Sequence, residues 1–191
     1  MHITTLTPPS GEPLSLADAK AFARVGSDHD DALMRQLIAA ARARVETETG
    51  LALVTQSLRL TLQDWPIGIL EQGVMRLPRR PAQGLTAVRL TDGVEATLIT
   101  DQFQLTPGLS PRLKPQSGLA WPWPHSVHQW IEIDWVAGFG AAETVPEDLL
   151  HAVKRIVAFG IEHQGSRDWR AHEALTTELD EWLQPWREVR I

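Results

Sequence analysis

The chain has 191 residues, 43 % of them hydrophobic, with 18 Lys and Arg against 24 Asp and Glu for a net charge of −6. That hydrophobic content supports a real core and excludes wholesale disorder, and the length fits one domain with an elaborate insertion or two small ones. The absence of cysteine excludes disulfides and thiolate metal sites, no apolar run approaches the length of a membrane span, and no basic patch of the kind a tight nucleic-acid binder shows is visible along the sequence.

Met1-His2-Ile3-Thr4-Thr5 lacks a basic region and an apolar run, which reads as no signal peptide and a reducing compartment. Residues 1–13, with Pro8, Pro9, Gly11 and Pro13, read as an extended arm. Ser15 starts a short helix with Asp18 at capping-box spacing, its turns made by Leu16, Ala19, Lys20 and Ala23 and its end at Gly26-Ser27. The stretch from Asp28 to Gly50 is the organising element. Asp28 and Asp30 are expected to cap a helix, with Leu33, Leu37, Ile38, Ala41 and Val45 in one apolar stripe. Arg35, Arg42, Arg44, Glu46 and Glu48 take the other side, and Gly50 supplies a left-handed stop. At 1.5 Å per residue this helix is about 28 Å long, too long and too one-sided to stand alone. It is expected to pack against helices near the C-terminus, across an inserted β block.

The period changes at Thr55. Leu58, Leu60 and Leu62 alternate with polar neighbours as a half-buried strand. Trp65-Pro66 and Gly68 break it, and Val74–Leu77 forms a short strand closed by Pro78 and Pro81. Thr86, Val88 and Leu90 run into Asp92-Gly93, a hairpin signal, with Thr97–Ile99 returning. Phe103 and Leu105 mark another edge, the prolines at 107, 111 and 115 mark loops, and Ile131, Ile133 and Trp135 alternate with Glu132 and Asp134 in a last strand. Helix returns at Val145-Pro146-Glu147-Asp148, with Thr144 as cap and Leu149, Leu150, Val153, Ile156, Val157 and Ile161 on a broad apolar face closed by Gly165-Ser166. A final helix carries Leu175, Leu179, Trp182, Leu183 and Trp186 on one stripe, limited by Pro185. The fold class is α+β: a helical bundle with an inserted, mostly antiparallel β block, a small barrel or sandwich. The boundaries are an arm and helical hairpin over 1–54, the β block over 55–140, and C-terminal helices over 141–191.

No arrangement of residues reads as catalytic, and no cofactor is expected. His163 beside Glu162 and His172 beside Glu173 lack the HExxH spacing that places two histidines one turn apart, so surface histidines are the simpler reading. Asp28-His29-Asp30-Asp31 lacks the later Gly and Glu of a calcium loop, and helix capping explains it. Eight Trp with no Tyr is the compositional oddity. Trp121-Pro122-Trp123-Pro124 is either an aromatic platform for a sugar or single strand, or a stiff loop folding two rings over a sheet edge, which the absence of close basic residues favours. Trp182 and Trp186 near the chain end leave two outcomes: the last helix folds back on the long helix, or it docks on another protein with Arg187 and Arg190 at the rim.

The order of these motifs resembles the head–tail connector, or adaptor, proteins of long-tailed phages and gene transfer agents. The similarity runs from Glu12-Pro13-Leu14-Ser15-Leu16-Ala17-Asp18-Ala19-Lys20 through Asp28–Asp31, the Leu33–Val45 helix and Glu48-Thr49-Gly50-Leu51-Ala52-Leu53 to Thr55-Gln56. It continues with Leu77-Pro78-Arg79-Arg80-Pro81, Leu85–Asp92, Ala137-Gly138-Phe139-Gly140, Val145-Pro146-Glu147-Asp148-Leu149 and Pro185-Trp186-Arg187. The resemblance implies a structural protein and not an enzyme. It implies a homo-oligomeric ring, usually of twelve subunits, in the neck of a virion or phage-like particle assembled in the host cytoplasm. The ring binds the portal protein, presents a surface to the next neck (stopper) or tail protein, and lets double-stranded DNA pass without sequence-specific binding; no membrane is involved. Family attachment through the C-terminal segment maps here to Leu179, Trp182, Leu183, Trp186, Arg187 and Arg190. The Trp121–Pro124 loop is not a family feature, and Trp121 and Trp123 are a candidate secondary contact loop outside the resemblance. Residues 14–50 and 146–165 are then the expected ring core, and deleting 175–191 is expected to abolish portal binding with the fold intact. The competing reading is a Trp-rich ligand- or carbohydrate-binding β module on a helical scaffold.

Overall fold

The computed structural model describes every residue except 125, 127, 166, 167 and 189–191, together with the side chains of all described residues but Leu70 and Glu71. The chain divides into a β unit, Met1–Ser10 with Thr55–Gly138, and a helical unit, Gly11–Val54 with Phe139–Ile191. This is the expected α+β class with an inserted antiparallel block.

In the β unit, β1 (His2–Thr7), β2 (Gln56–Leu62), β4 (Ala82–Thr91), β5 (Ala96–Leu98) and β8 (Trp130–Ala137) form a sheet in the order β1-β2-β8-β4-β5. Every pairing in it is antiparallel. A second antiparallel sheet has the order β3-β7-β6, from β3 (Met75–Arg76), β7 (Arg112–Pro115) and β6 (Phe103–Thr106). The alternation in β2 turns Leu58, Leu60 and Leu62 inward, and β8 buries Ile131, Ile133 and Trp135 fully. The arm is a strand: β1 pairs with β2, so residues 1–10 belong with the sheet and not with the helical hairpin. β7, read as loop, is a further strand, and a short helix α3 (Ile69–Gln72) follows the Gly68 break. At the expected hairpin the Asp92 carboxylate accepts from the Val94 and Glu95 amides at 2.9 and 2.8 Å, and Gly93 takes φ 90°. Those amide bonds hold the Asp92 carboxyl below its usual range.

In the helical unit, α1 (Leu16–Ala23), α2 (Asp31–Thr49), α4 (Glu147–Glu162) and α5 (Trp169–Leu183) surround one core, with α4 packed on α1, α2 and α5. The long helix does meet the C-terminal helices. Met34, Ile38, Ala41, Val45, Leu149, Val153, Val157, Leu175, Leu179 and Leu183 make that core. The buried stripe of α2 is thus centred on Met34, Ile38, Ala41 and Val45, and Leu33 and Leu37 flank it. Helices α2 and α4 approach closely at Gly160, where an added Cβ would sit 2.8 Å from Leu37 Cδ2.

Several expected helix ends are corrected. At α1 the Ser15 cap is as expected, the Asp18 amide donating to Ser15 Oγ at 3.1 Å, but the helix ends at Arg24, itself left-handed at φ 57°, before Gly26. Asp30 occupies the N-cap of α2 without a side-chain capping bond; Asp28 and Asp31 instead receive the Lys20 ammonium. Lys20 is positioned by α1 to reach both, which raises its pKa and lowers that of Asp28. Thr144 lies in a short 3-10 turn and donates to the Ala141 carbonyl, while Pro146 holds the N-cap of α4, which ends at Glu162. Glu46 is not solvated. It is buried, accepts from the Leu53 amide at 2.9 Å and pairs with Arg42, which also grips Glu12. Burial works against the Arg42 charge, yet the bond to Glu12 and the attraction of Glu46 prevail and raise its pKa.

Candidate functional site

The C-terminal segment folds back. Leu179 and Leu183 are fully buried in the helical unit's own core together with Leu175, because the i, i+4 spacing on α5 keeps them on one face toward α4. Trp182, Trp186 and Arg187 are half-buried, and Arg190 lies outside the described residues. A 3-10 turn at Gln184–Trp186, with Pro185 as its second residue, carries the second indole toward the start of α4, where its N–H donates to Asp148 Oδ2 at 2.6 Å. The ring also meets Phe139 edge-on with centroids 5.8 Å apart. Arg187 pairs with Asp180 and, at 3.6 Å, with Glu48.

Trp182 ends a row of rings that sequence reading did not find. Its centroid is 4.6 Å from the ring of His151, which in turn meets Phe22 at 5.7 Å. Three helices supply these rings, so no single-helix pattern could reveal the row. Phe22 is 37 % exposed, which leaves an aromatic edge facing out from the helical unit. One turn further along the same face of α4, Arg155 makes a two-pronged bond to Glu178 at 3.0 and 2.8 Å, locking α5 in place. The bond lowers the Glu178 pKa and raises that of Arg155.

Burying three leucines changes one expectation. Deleting 175–191 would strip Leu175, Leu179 and Leu183 from the core, so the fold would not survive that truncation intact. Each such loss is worth about 2–5 kcal/mol.

The Trp121–Pro124 loop splits its two rings. Trp121 is buried against Trp65 at 4.7 Å and Phe103 at 5.5 Å, while Trp123 stays 45 % exposed. The Trp65 indole donates to the Pro122 carbonyl at 2.7 Å and pins the loop. A two-ring stacking platform is therefore not present, and neither is the fold in which both rings cover a sheet edge: one ring is core and one is surface.

The histidines have ordinary surroundings. His163 stacks on Phe159 at 4.1 Å and His172 meets the same ring edge-on, each with Nδ1 near the carbonyl one turn back. Among the described residues no three His, Asp or Glu side chains converge as a metal site. No helix is long and apolar enough to cross a membrane among the described residues.

On the five-stranded sheet the polar face is a charge ladder. Arg59, opposite Asp134, binds it at 2.7 and 2.9 Å and reaches Glu132 at 3.0 Å; Arg89, opposite Glu132, also binds Asp134. Asp134, on the face opposite Ile133 and Trp135, is itself buried beneath the two guanidiniums. The bond to Asp134 raises the Arg59 pKa.

Neither a family model nor a curated protein matches the chain. Solved structures do. The chain is similar to one in the neck of an empty gene transfer agent particle computed with C6 symmetry, at 28 % identity and TM-score 0.82. It is likewise similar to a chain in the virion of a native gene transfer agent particle (28 %, TM-score 0.80) and to one in the neck of a native particle computed with C12 symmetry (27 %, TM-score 0.78). Each similarity covers 100 % of this chain and 97 % of the other. The resemblance carried by the motif order is thus matched by the whole fold.

Proposed function

We propose that this chain, similar from end to end to a component of gene transfer agent particles, is a structural neck protein of a phage or phage-like particle: a head–tail connector. The observation that carries this is the full-length similarity at 28 % identity to a chain of a gene transfer agent neck. In this reading copies close into a ring of twelve on the portal, extend the DNA channel and carry the next neck or tail protein. The sixfold and twelvefold symmetries applied to the neighbouring necks support a cyclic arrangement.

A ring of identical copies needs two different faces on each subunit, so that successive rotations close. Residues 14–50 and 146–165 supply rigid helical walls for those contacts, and residues 55–136 face a neighbouring copy, the next neck protein or solvent. The C-terminal segment is the portal-docking part. Leu179 and Leu183 anchor it, while Trp182, Trp186 and Arg187, half-buried on the helical unit, present an aromatic and cationic edge of the composition found at interface hot spots. The test is co-elution of Trp182→Ala and Trp186→Ala variants with portal rings. Loss of co-elution with unchanged helicity is the expected result, and undiminished binding by both variants would remove the docking assignment.

A further inference from the structure

The formal charge is unevenly divided. The β unit holds seven Lys and Arg against seven Asp and Glu, so the whole net charge of −6 resides in the helical unit. Within the β unit the cations are sorted again. Arg59 and Arg89 are neutralised by Asp134 and Glu132 on the larger sheet. The other five, Arg76, Arg79, Arg80, Arg112 and Lys114, lie on the three-stranded sheet or in the segment that leaves it, Arg76, Arg79 and Arg80 with interactions of their own.

Strand register places three of them on one face. Met75, Leu113, Leu105 and Phe103 point one way, buried or half-buried; Arg76, Arg112, Lys114, Gln104 and Thr106 point the other and are exposed. Arg76 stands directly opposite Arg112, and Lys114 is two residues along the same strand. Like charges directly opposed across a strand pair destabilise a sheet. No carboxylate occurs in any of the three strands, and among the described residues none pairs with Arg112 or Lys114. The segment after β3 runs beside the one before β7: the Leu77 amide donates to the Pro111 carbonyl, and Arg80 Nη1 lies 3.5 Å from the Leu109 carbonyl. Arg79 and Arg80 therefore extend the same basic region.

We infer that this face contacts the phosphate backbone of duplex DNA, without reading sequence. The inference rests on the connector reading, which brings DNA past each subunit. Its chemistry is Arg, Lys, Gln and Thr on a flat strand surface, the side-chain types that contact phosphate oxygens. Among the described residues the outward face of the three strands carries no apolar or aromatic side chain, and Leu109 at its margin is the exposed apolar neighbour, whereas the core of a protein interface is depleted in charge and enriched in such anchors. An acidic protein surface, including the helical unit of another copy, is thus the less favoured occupant. Contact with few phosphates suits a channel: the interaction is weak, strongly screened and compatible with sliding. The patch escapes a linear reading because residues 76–80 and 112–114 are joined by strand pairing alone.

The experiment uses the full chain and a labelled duplex of mixed sequence, with binding followed by fluorescence anisotropy across a salt series. Three phosphate contacts give a slope of about −2.7 in log affinity against log salt, a fall of about 40-fold between 50 and 200 mM. Replacing Arg112 and Lys114 together by Gln should reduce the slope to about −0.9, while Arg112→Lys should keep it. Unaltered tryptophan fluorescence in the variants shows that the Trp65–Trp121 cluster remains folded. Absence of binding at low salt, or equal binding by the double variant, overturns the inference. So does self-association that the double variant abolishes while duplex binding is absent, which would assign the face to an acidic surface of a second copy. Portal co-elution is read separately: a variant that loses the duplex but keeps the portal is the expected outcome, and a chain that binds the portal but never the duplex refutes this inference alone.

Discussion

Leu179→Ala separates anchoring from docking. Leu179 is fully buried on α5, between Leu175 and Leu183, and packs in the core shared with α2 and α4. Removing its branched side chain forfeits the transfer of those methyl groups and leaves a cavity, together worth about 2–5 kcal/mol. The upper part of that range is expected here, because neighbours at Leu149, Val153 and Val157 come from one rigid helix and cannot collapse easily into the void. Urea unfolding followed by far-ultraviolet circular dichroism measures the change, with the midpoint falling at constant slope. Portal binding, measured well below the new midpoint, should persist. A change in stability under about 0.5 kcal/mol would refute the folded-back tail. Full stability with abolished portal binding would refute the anchoring role as well.

Asp134→Asn puts a neutral amide beneath Arg59 and Arg89 and leaves Glu132 to pair with both. Breaking a buried pair typically costs 3–5 kcal/mol, and with each Arg side chain still 25 % exposed the expected loss is about 3 kcal/mol by urea unfolding. Trp121→Ala should destabilise the β unit by about 3–5 kcal/mol, while Trp123→Ala on the surface stays within about 0.5 kcal/mol; equal effects would contradict the split between the two rings. The Glu178 carboxyl is lowered by its bond to Arg155 from an ordinary value of 4.5. A lowered carboxyl contributes stability above its unfolded value and loses it as pH falls through the folded one. Acid titration of helicity should therefore show a loss below about pH 4.5 that Arg155→Gln reduces, the Asp28 carboxyl lowered by Lys20 supplying a further part, and an unchanged profile in that variant would remove Arg155–Glu178 as a source.

What could be read from residues alone follows the strength of local patterning. Leu58, Leu60 and Leu62 alternate cleanly because β2 has one buried face, and the Asp92-Gly93 hairpin is set by local turn chemistry. β1 resembles an arm in sequence because an exposed edge strand, His2–Thr7, carries almost no inward apolar residues. β7 was read as a loop because Pro111 and Pro115 frame a strand with Leu113 as its buried residue. Gly50 ends α2 in the left-handed region as expected, but the side-chain capping bonds expected at its start are absent: Lys20, from the preceding helix, takes the Asp28 carboxylate, and Asp30 holds the N-cap position without such a bond. Leu175, Leu179, Trp182, Leu183 and Trp186 read as one stripe in the sequence, but whether a stripe faces its own core or a partner depends on the other helices. Leu179 and Leu183 prove to face inward. The Phe22–His151–Trp182 row and the basic face of the smaller sheet each combine distant segments, so neither leaves a local signal.

The central claim, a neck ring seated on a portal, is tested most directly by solution mass from light scattering, for the chain alone and after mixing with portal rings. Co-elution at a mass of one chain per portal subunit is the expected result, and the sample without portal shows whether ring closure needs that template. A chain that stays monomeric and ignores every portal offered would contradict the connector reading.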